Sequence, residues 1–356
     1  MEQPNQTQTL LNLLGKPAFG VKDSHILILN NEATALGITA GDPIAPLLLT
    51  DERALSDFRD GSMYLQLTVN GAILDATVLP MPGILLFLIA PEEESSVLQA
   101  LSLAATQLRE PLAGVMAISD NLHAKASKLT EKEKEKIGHL NRSLLHMQRL
   151  VSNMSDAPRY YNRNSCKKQT HNVTALFAEW IEKSAALLTA AGLALTFEKP
   201  GEDIIAQVSA EYLERAVLNM LSNAAEVSKP GSTLVASLKK SDKTLLFTLK
   251  DTGPGIPQDA SVNMFDRYLR CASLNDGTRG LGLGMFYIRS AAAAHDGTVL
   301  LQNGKDGGLE VTLTISLKKS KEPFVRSDII RVDYSGGYDH TLLELSNILP
   351  PELYQK

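Results

Sequence analysis

The sequence predicts a multidomain α+β protein, and three patterns along the chain support this fold class. Short apolar runs typical of strands occur in residues 1–92, two long helical stretches with heptad spacing occur in 93–157, and helical and strand patterns alternate in 158–317. Residues 318–356 follow as a C-terminal extension whose role the sequence does not indicate. A chain of 356 residues has room for several separate cores.

Composition indicates an ordinary globular protein. The chain is 44% hydrophobic and 21% charged, and its net charge of −5 argues against a nucleic-acid partner. Only two cysteines occur, Cys166 and Cys271, so we expect a reducing compartment. The longest strongly apolar run, 84–90, is far shorter than the roughly 20 residues of a membrane helix. With no signal-peptide pattern at the N-terminus, we expect a cytoplasmic location without membrane insertion.

Residues 1–92 are predicted to form a small α+β module. Asn70-Gly71 lies between two apolar runs and predicts a tight hairpin turn. The predicted strands are 18–21, 25–29, 62–69, 72–79 and 83–89. The segments 10–21 and 28–33 resemble the opening of a PAS sensor domain, with an unrelated small dimerising domain as the alternative.

Residues 93–157 are predicted to form a helical hairpin with one apolar seam on each helix. The first seam repeats every seven residues, and the second follows alternating steps of three and four. The seam residues are Leu101, Leu108, Val115, Leu122, Ile137, Leu140, Leu144, Met147, Val151 and Met154. Thr130 and Glu133 predict a capping box for the second helix. Two helices cannot bury both seams, so we expect a homodimer through residues 93–157 in a four-helix bundle.

Residues 170–317 are predicted to form a sheet covered by helices. The predicted helices are 173–188, 210–227 and 285–294, and the predicted strands are 193–197, 233–238, 245–250, 298–302 and 310–317. In the extension, 328–334 is strand-like and 342–349 is a short apolar helix candidate that ends before two prolines.

Two glycine-rich motifs indicate a phosphate site. Residues 251–256 read Asp-Thr-Gly-Pro-Gly-Ile, and residues 277–284 read Gly-Thr-Arg-Gly-Leu-Gly-Leu-Gly just before an apolar helix, whose first N–H groups attract phosphate. Residues 218–225 place Asn219 and Asn223 four apart on one helix face. Met-Phe-Asp-Arg-Tyr occupies residues 264–268. Any one of these motifs alone predicts only a turn or a core helix.

Together and in this order, the four motifs resemble the N, G1, F and G2 boxes of sensor histidine kinases. These kinases share the Bergerat ATP-binding fold, an α/β sandwich, with DNA gyrase and a family of heat-shock chaperones, and the resemblance covers roughly residues 93–317. It implies binding of ATP and Mg²⁺. By resemblance, Asn223 is the metal ligand, Asn219 helps orient the metal's shell, and Asp251 accepts a hydrogen bond from the adenine amino group. The other implied nucleotide contacts are Gly253, Gly255, Arg267, Arg270, Arg279, Gly280, Gly282 and Gly284, and which arginine meets phosphate is left open.

The stretch that matches the phosphoacceptor box of these kinases is altered. The family reads roughly His-Glu-Leu-Arg-Thr-Pro-Leu, whereas residues 106–112 read Thr-Gln-Leu-Arg-Glu-Pro-Leu. Thr106 replaces the histidine, and Gln107 replaces the acid that serves as general base. A threonine hydroxyl is a weak nucleophile without an adjacent base. The amide of Gln107 cannot act as that base. Whether the chain is an enzyme is therefore open, since the kinase fold is present and the acceptor histidine is absent.

The leading prediction is a cytoplasmic two-component signalling protein that binds ATP and Mg²⁺ without phosphorylating itself on the usual histidine. Such a regulatory pseudokinase would act through a response regulator or another histidine kinase. One alternative is an active kinase that phosphorylates a partner or Ser/Thr residues. Another is a structural dimer module that does not use nucleotide.

Overall fold

A computed structural model describes residues 11–56, 58–90, 94–123, 129–162, 165–257, 265, 282–305, 307–317 and 337–355. The helices are α1 (Asn31–Ala35), α2 (Arg53–Ser56), α3 (Glu94–His123), α4 (Glu131–Tyr161), α5 (Val173–Ala190), α6 (Ala210–Val227), α7 (Leu283–Ala294) and α8 (His340–Glu344). The strands are β1 (Ala18–Lys22), β2 (His25–Leu29), β3 (Ser62–Val69), β4 (Ala72–Met81), β5 (Ile84–Ile89), β6 (Gln169–Asn172), β7 (Ala194–Glu198), β8 (Ile205–Val208), β9 (Thr233–Ser241), β10 (Thr244–Lys250), β11 (Val299–Asn303) and β12 (Leu309–Ser316). Short 3₁₀ helices occur at Ala45–Leu47 and Pro351–Tyr354.

Most predicted elements are confirmed within a few residues of their predicted ends. The two strands β6 and β8 were not predicted, and they pair in a small separate sheet. The predicted helix 342–349 is wrong in extent. The Asp339 side chain accepts from the Leu342 N–H, so α8 starts at His340, two residues earlier than predicted, and it ends at Glu344. The predicted strand 328–334 lies outside the described residues.

Residues 11–90 form a five-stranded antiparallel sheet in the order β2-β1-β5-β4-β3. The predicted turn at Asn70-Gly71 is confirmed, since both residues have positive φ (51° and 79°) and Val69 pairs with Ala72 across it. The buried Asn30 side chain accepts from the Ala33 N–H at 3.0 Å and so caps α1.

This N-terminal sheet continues directly into the sheet of residues 194–316. Residues 62–64 of β3 pair antiparallel with residues 299–301 of β11, which gives ten strands with the second half ordered β11-β12-β10-β9-β7. A Cβ on Gly61 would lie 1.9 Å from the Leu301 carbonyl oxygen, so only glycine allows this approach. The two halves of the chain therefore share one continuous sheet.

The hairpin of α3 and α4 keeps part of its seams on its surface. The carboxylate of Glu133 accepts from the Thr130 N–H at 2.8 Å, which confirms the predicted capping box. Leu144 and Val151 are buried by contacts within the chain. Five large apolar residues of the seams are 40–49% exposed, namely Leu108, Val115, Leu122, Leu140 and Met147.

Arg215 joins α6 to α4. Its guanidinium carbon lies 4.9 Å from the ring centroid of Tyr160 and 3.9 Å from that of Tyr287. It also donates to Asp156 and Asn153 of α4, both at 2.8 Å. The side chain is fully buried, so this junction is part of the core.

In the described part of the chain, no helix is long and apolar enough to cross a membrane.

Candidate nucleotide site

The helix α6 carries both asparagines of the N-box motif. Leu218 and Leu221 are fully buried and fix this helix against the sheet. Asn219 is also fully buried, and its Nδ2 donates to the Arg215 carbonyl at 2.8 Å. Asn223 is only half-buried, so its amide is accessible from the surface.

His295 joins the start of α6 to α7, the helix that follows the second glycine motif. Its Nε2 accepts from the Ser209 N–H at 3.0 Å, and its Nδ1 pairs with the Ala291 carbonyl at 2.7 Å, so Nδ1 carries the proton. Complete burial lowers the pKa of His295 to about 4. The neutral imidazole therefore holds the two helices in register at neutral pH.

Gly284 brings the N-box motif and the second glycine motif together. A Cβ on Gly284 would lie 3.1 Å from Asn219 Oδ1 and 3.4 Å from Asn223 Oδ1. Both amides therefore face the first turn of α7. Gly282 precedes this turn with a φ of 70°, a conformation that glycine adopts without strain. Two polar amides and the first N–H groups of a twelve-residue helix thus converge on one place.

Asp251 lies directly after β10 and is nearly buried, with 8% of its surface exposed. Its Oδ1 accepts from the Gly253 N–H at 2.8 Å and the Leu309 N–H at 3.0 Å. Within the described residues, hydrogen bonds reach only this oxygen, which leaves Oδ2 as an acceptor for a ligand. A Cβ on Gly253 would lie 2.6 Å from the Val227 side chain, so the loop approaches α6 closely.

The rest of the first glycine motif is held by Asn303. Its Oδ1 accepts from the Ile256 N–H at 2.7 Å, and its Nδ2 donates to the Ile256 carbonyl at 2.9 Å. Gly255 has a φ of 74°, and a Cβ there would lie 2.6 Å from Asn303 Oδ1. This side chain was not predicted as a site residue, because a lone asparagine at a strand end gives no signal in the sequence.

Four predicted nucleotide contacts, Arg267, Arg270, Arg279 and Gly280, lie outside the described residues. Phe265, in the predicted F box, is buried and lies 5.9 Å from Tyr64 between ring centroids. Arg289 of α7 donates to the Phe265 carbonyl at 3.1 Å. The F-box phenylalanine thus contacts the N-terminal sheet and α7 together.

In the altered acceptor stretch of α3, residues 106–111 are exposed and Leu112 is buried. Thr106 is exposed, and its hydroxyl donates to the Ser102 carbonyl at 2.9 Å. Gln107 is exposed as well. Arg109 donates to the Ser155 hydroxyl at 2.7 Å and so links α3 to α4. Among the described residues, no carboxylate or imidazole is hydrogen-bonded to Thr106.

These residues fit a magnesium nucleotide. Mg²⁺ keeps several waters and needs few protein ligands beside the phosphate oxygens, so the Asn223 amide would suffice. A Cβ on Gly284 would narrow the space beside the amides of Asn219 and Asn223. Sequence reasoning missed Arg149 of α4, whose Nη2 donates to Asn219 Oδ1 at 3.4 Å, because its position in a heptad helix predicts a solvated face.

Comparison with known proteins agrees with these motifs. Residues 209–319 match the family of histidine kinase-, DNA gyrase B- and HSP90-like ATPases. The sensor protein KdpD of Clostridium acetobutylicum is 27% identical over 204 residues, which cover 56% of this chain and 22% of that protein. The sensor histidine kinase YvrG of Bacillus subtilis is 23% identical over 210 residues, which cover 58% of this chain and 36% of that protein. The chain thus spans well under half the length of these two relatives.

Among solved structures, full-length ShkA in complex with AMPPNP is similar over 62% of this chain and 47% of its own, with 19% identity and a TM-score of 0.49. The match over residues 209–319 and the sensor-kinase relatives agree with the four motifs in their order along the chain. Residues 209–319 are therefore similar to this ATPase family, and the relatives that match more of the chain are sensor kinases.

Proposed function

We propose that this protein binds ATP with Mg²⁺ and regulates a two-component system without phosphorylating itself at the usual position. One observation carries the proposal. Asn219 and Asn223 both lie close to Gly284, whereas the hydroxyl of Thr106 donates to a backbone carbonyl and, among the described residues, is hydrogen-bonded to no carboxylate or imidazole. A nucleotide site is thus kept in a chain whose acceptor position is altered.

In the nucleotide site, the Asn223 oxygen would hold Mg²⁺, and Oδ2 of Asp251 would accept from the adenine amino group. The bound metal would neutralise charge on the phosphates. The first N–H groups of α7 would face the phosphate oxygens, since a helix N-terminus favours anions. Gly284 leaves the room that the phosphates need beside both amides.

At the acceptor position, Thr106 would not take over the chemical role of a histidine. A neutral imidazole is a nucleophile near pH 7, but a hydroxyl must lose its proton to a base during attack. The neighbouring Gln107 is an amide without basicity in this range.

We infer that the exposed seam residues of α3 and α4 pack against a second copy in a four-helix bundle. A row of leucine, valine and methionine side chains 40–49% exposed is typical of an interface. The PAS-like residues 1–92 would supply the sensor input, and the output would reach a response regulator or another histidine kinase in the cytoplasm. These partners follow from the family and from the altered acceptor.

Equilibrium binding of a non-hydrolysable ATP analogue tests the nucleotide site. The wild type should bind with Mg²⁺, and Asn223→Ala should lose roughly 100-fold in affinity, about 3 kcal/mol, because the metal loses its protein ligand. Asn172→Ala, which removes the amide that caps α5, provides a control that leaves the site intact. Absence of wild-type binding at millimolar nucleotide would contradict the proposal and favour a structural dimer module.

Labelled ATP tests the second half of the proposal. We expect the wild type to form no acid-labile phosphoryl group at the rates of ordinary histidine kinases. Acid-stable phosphate on Thr106 or on a partner protein would instead favour an active kinase with another target.

A further inference from the structure

The C-terminal segment 337–355 lies across two helices of different parts of the chain. On α4, Asn141 and Arg142 donate to backbone carbonyls of this segment at 3.0–3.2 Å. On α6, Glu214 pairs with His340 of the segment at 3.1 Å, and Ser222 donates to Oδ1 of Asn347 at 3.2 Å. The leucines at 343, 345 and 349 are fully buried, so the segment is packed into the core and does not lie loosely on the surface.

Arg149 lies where α4, α6 and this segment meet. Its Nε donates to Glu344 at 2.7 Å, and its Nη1 donates to Asn347 Oδ1 at 3.0 Å. The side chains of Arg149 and Glu344 are 9% and 0% exposed. Because the guanidinium is planar and rigid, two anchors in the segment fix the direction of the third contact.

That third contact reaches the nucleotide site. Nη2 of Arg149 donates to Oδ1 of Asn219 at 3.4 Å. The other end of the same amide donates to the Arg215 carbonyl at 2.8 Å, so both bonds agree on one orientation. In this orientation Oδ1 lies beside Gly284.

We propose that Arg149 is a positioning residue for Asn219 and that residues 337–355 hold Arg149 in place through Glu344 and Asn347. The inference rests on the proposed function, since it assigns Asn219 a role beside Mg²⁺ and the phosphates. The C-terminal segment then becomes part of the nucleotide site without touching the ligand. Loosening the segment frees the guanidinium, lets the Asn219 amide rotate and weakens metal-dependent binding.

Two substitutions separate this role from simple destabilisation. Glu344→Gln removes the charge that holds Arg149 but keeps the shape of the side chain, and Arg149→Lys keeps the charge but loses the planar fork. Glu352→Gln is the matched control, because Glu352 is an exposed glutamate of the same segment. Unfolding midpoints of all three variants check that the fold is retained.

The test measures the affinity of the full chain for β,γ-imido ATP with Mg²⁺, for the same analogue with a chelator, and for adenosine. Mg²⁺ should raise the affinity of the wild type for the analogue. We expect this increase to be about tenfold smaller in Glu344→Gln and in Arg149→Lys, as is typical when a partner of a metal-site residue is removed. Adenosine affinity should stay within about twofold of wild type, and Glu352→Gln should change neither value. An unchanged Mg²⁺ gain in the first two variants would overturn the positioning role.

Wild-type behaviour distinguishes this inference from the proposed function. Wild-type binding with unchanged variants would overturn the positioning role alone. If the wild type bound no nucleotide, the proposed function would fail and the positioning role would fail with it. Hydrogen exchange of α6 without nucleotide adds a second readout, because faster exchange in Glu344→Gln than in Glu352→Gln is expected if the segment holds this helix.

Discussion

The nucleotide pocket and the acceptor stretch of α3 lie in one chain but match the sensor histidine kinases to different extents. In the pocket, Asn219, Asn223 and Gly284 converge although they come from two helices. In the acceptor stretch, the helix and its exposed face are present, but Thr106 and Gln107 replace the two groups that would carry the chemistry. The geometry of the candidate pocket is therefore retained in a chain whose acceptor stretch differs from the family pattern.

The strongest test of this contrast restores the acceptor. The double substitution Thr106→His with Gln107→Glu returns a nucleophile and a base to an exposed face of α3. If the difference is confined to these positions, the double variant should form acid-labile phosphate and the wild type should not. Adding Asn223→Ala should abolish the signal, as the control for use of this pocket. A double variant that binds nucleotide but forms no acid-labile phosphate would contradict this. It would show that the acceptor position cannot approach the bound nucleotide, whatever residue it carries.

Low pH should reduce the free energy of unfolding through His295, which joins the start of α6 to α7. Its folded pKa of about 4 lies below the ordinary value near 6.5, so the unfolded state binds more protons between these values. The stability is complete above about pH 6.5 and is lost as the pH falls toward 4. We expect on the order of 2 kcal/mol to be lost between pH 7 and pH 5.

Urea unfolding at the two pH values measures this loss. His295→Gln should be less stable at pH 7 but should show a shallower decrease toward pH 5. Some pH dependence should remain, because burial also lowers the pKa values of His146 and His171. A slope equal to that of the wild type would contradict the assignment to His295.

A single methyl group at Gly284 should impair the pocket without touching the acceptor. The added Cβ of Gly284→Ala would lie 3.1 Å from Asn219 Oδ1 and 3.4 Å from Asn223 Oδ1. We expect about a tenfold loss of nucleotide affinity, about 1.4 kcal/mol, measured by calorimetry. Gly114→Ala is the matched control, because the added Cβ meets no atom within 4 Å. This substitution only replaces a glycine within α3 by a better helix former.

The smallest effect is expected at Thr106 itself. The hydroxyl is exposed and donates only to the carbonyl four residues earlier in α3. Thr106→Ala should therefore change stability by less than about 0.5 kcal/mol and leave nucleotide affinity unchanged. A large loss of affinity would show that the two regions are coupled.

Much of the fold could be predicted because the relevant signals are local. Helix α6 has apolar residues at helical spacing, and Asn70-Gly71 favours a turn through its own backbone preferences. The pairing of the two N-box asparagines on one face follows from helix geometry alone. The strands β6 and β8 were missed because each has only four residues and β6 is polar throughout.

Long-range contacts could not be predicted in this way. Arg149 and Glu344 are 195 positions apart, and opposite charges occur all along the chain, so their pairing has no local signal. The junction of β3 with β11 likewise depends on which two strand edges meet, and Gly61 has the same local features as many turn glycines. The motifs of the candidate site were therefore readable from the sequence, but the side chains that hold those motifs in place were not.

We propose that the pocket binds nucleotide while the hairpin has no working acceptor. Intact-mass analysis of the full chain after incubation with ATP and Mg²⁺, with bound nucleotide measured in the same sample, tests it most directly. We expect bound nucleotide in the wild type, its loss in Asn223→Ala, and an unmodified protein mass in both. A phosphorylated histidine in α3 or α4, or a wild type that stays empty at saturating ATP, would contradict it.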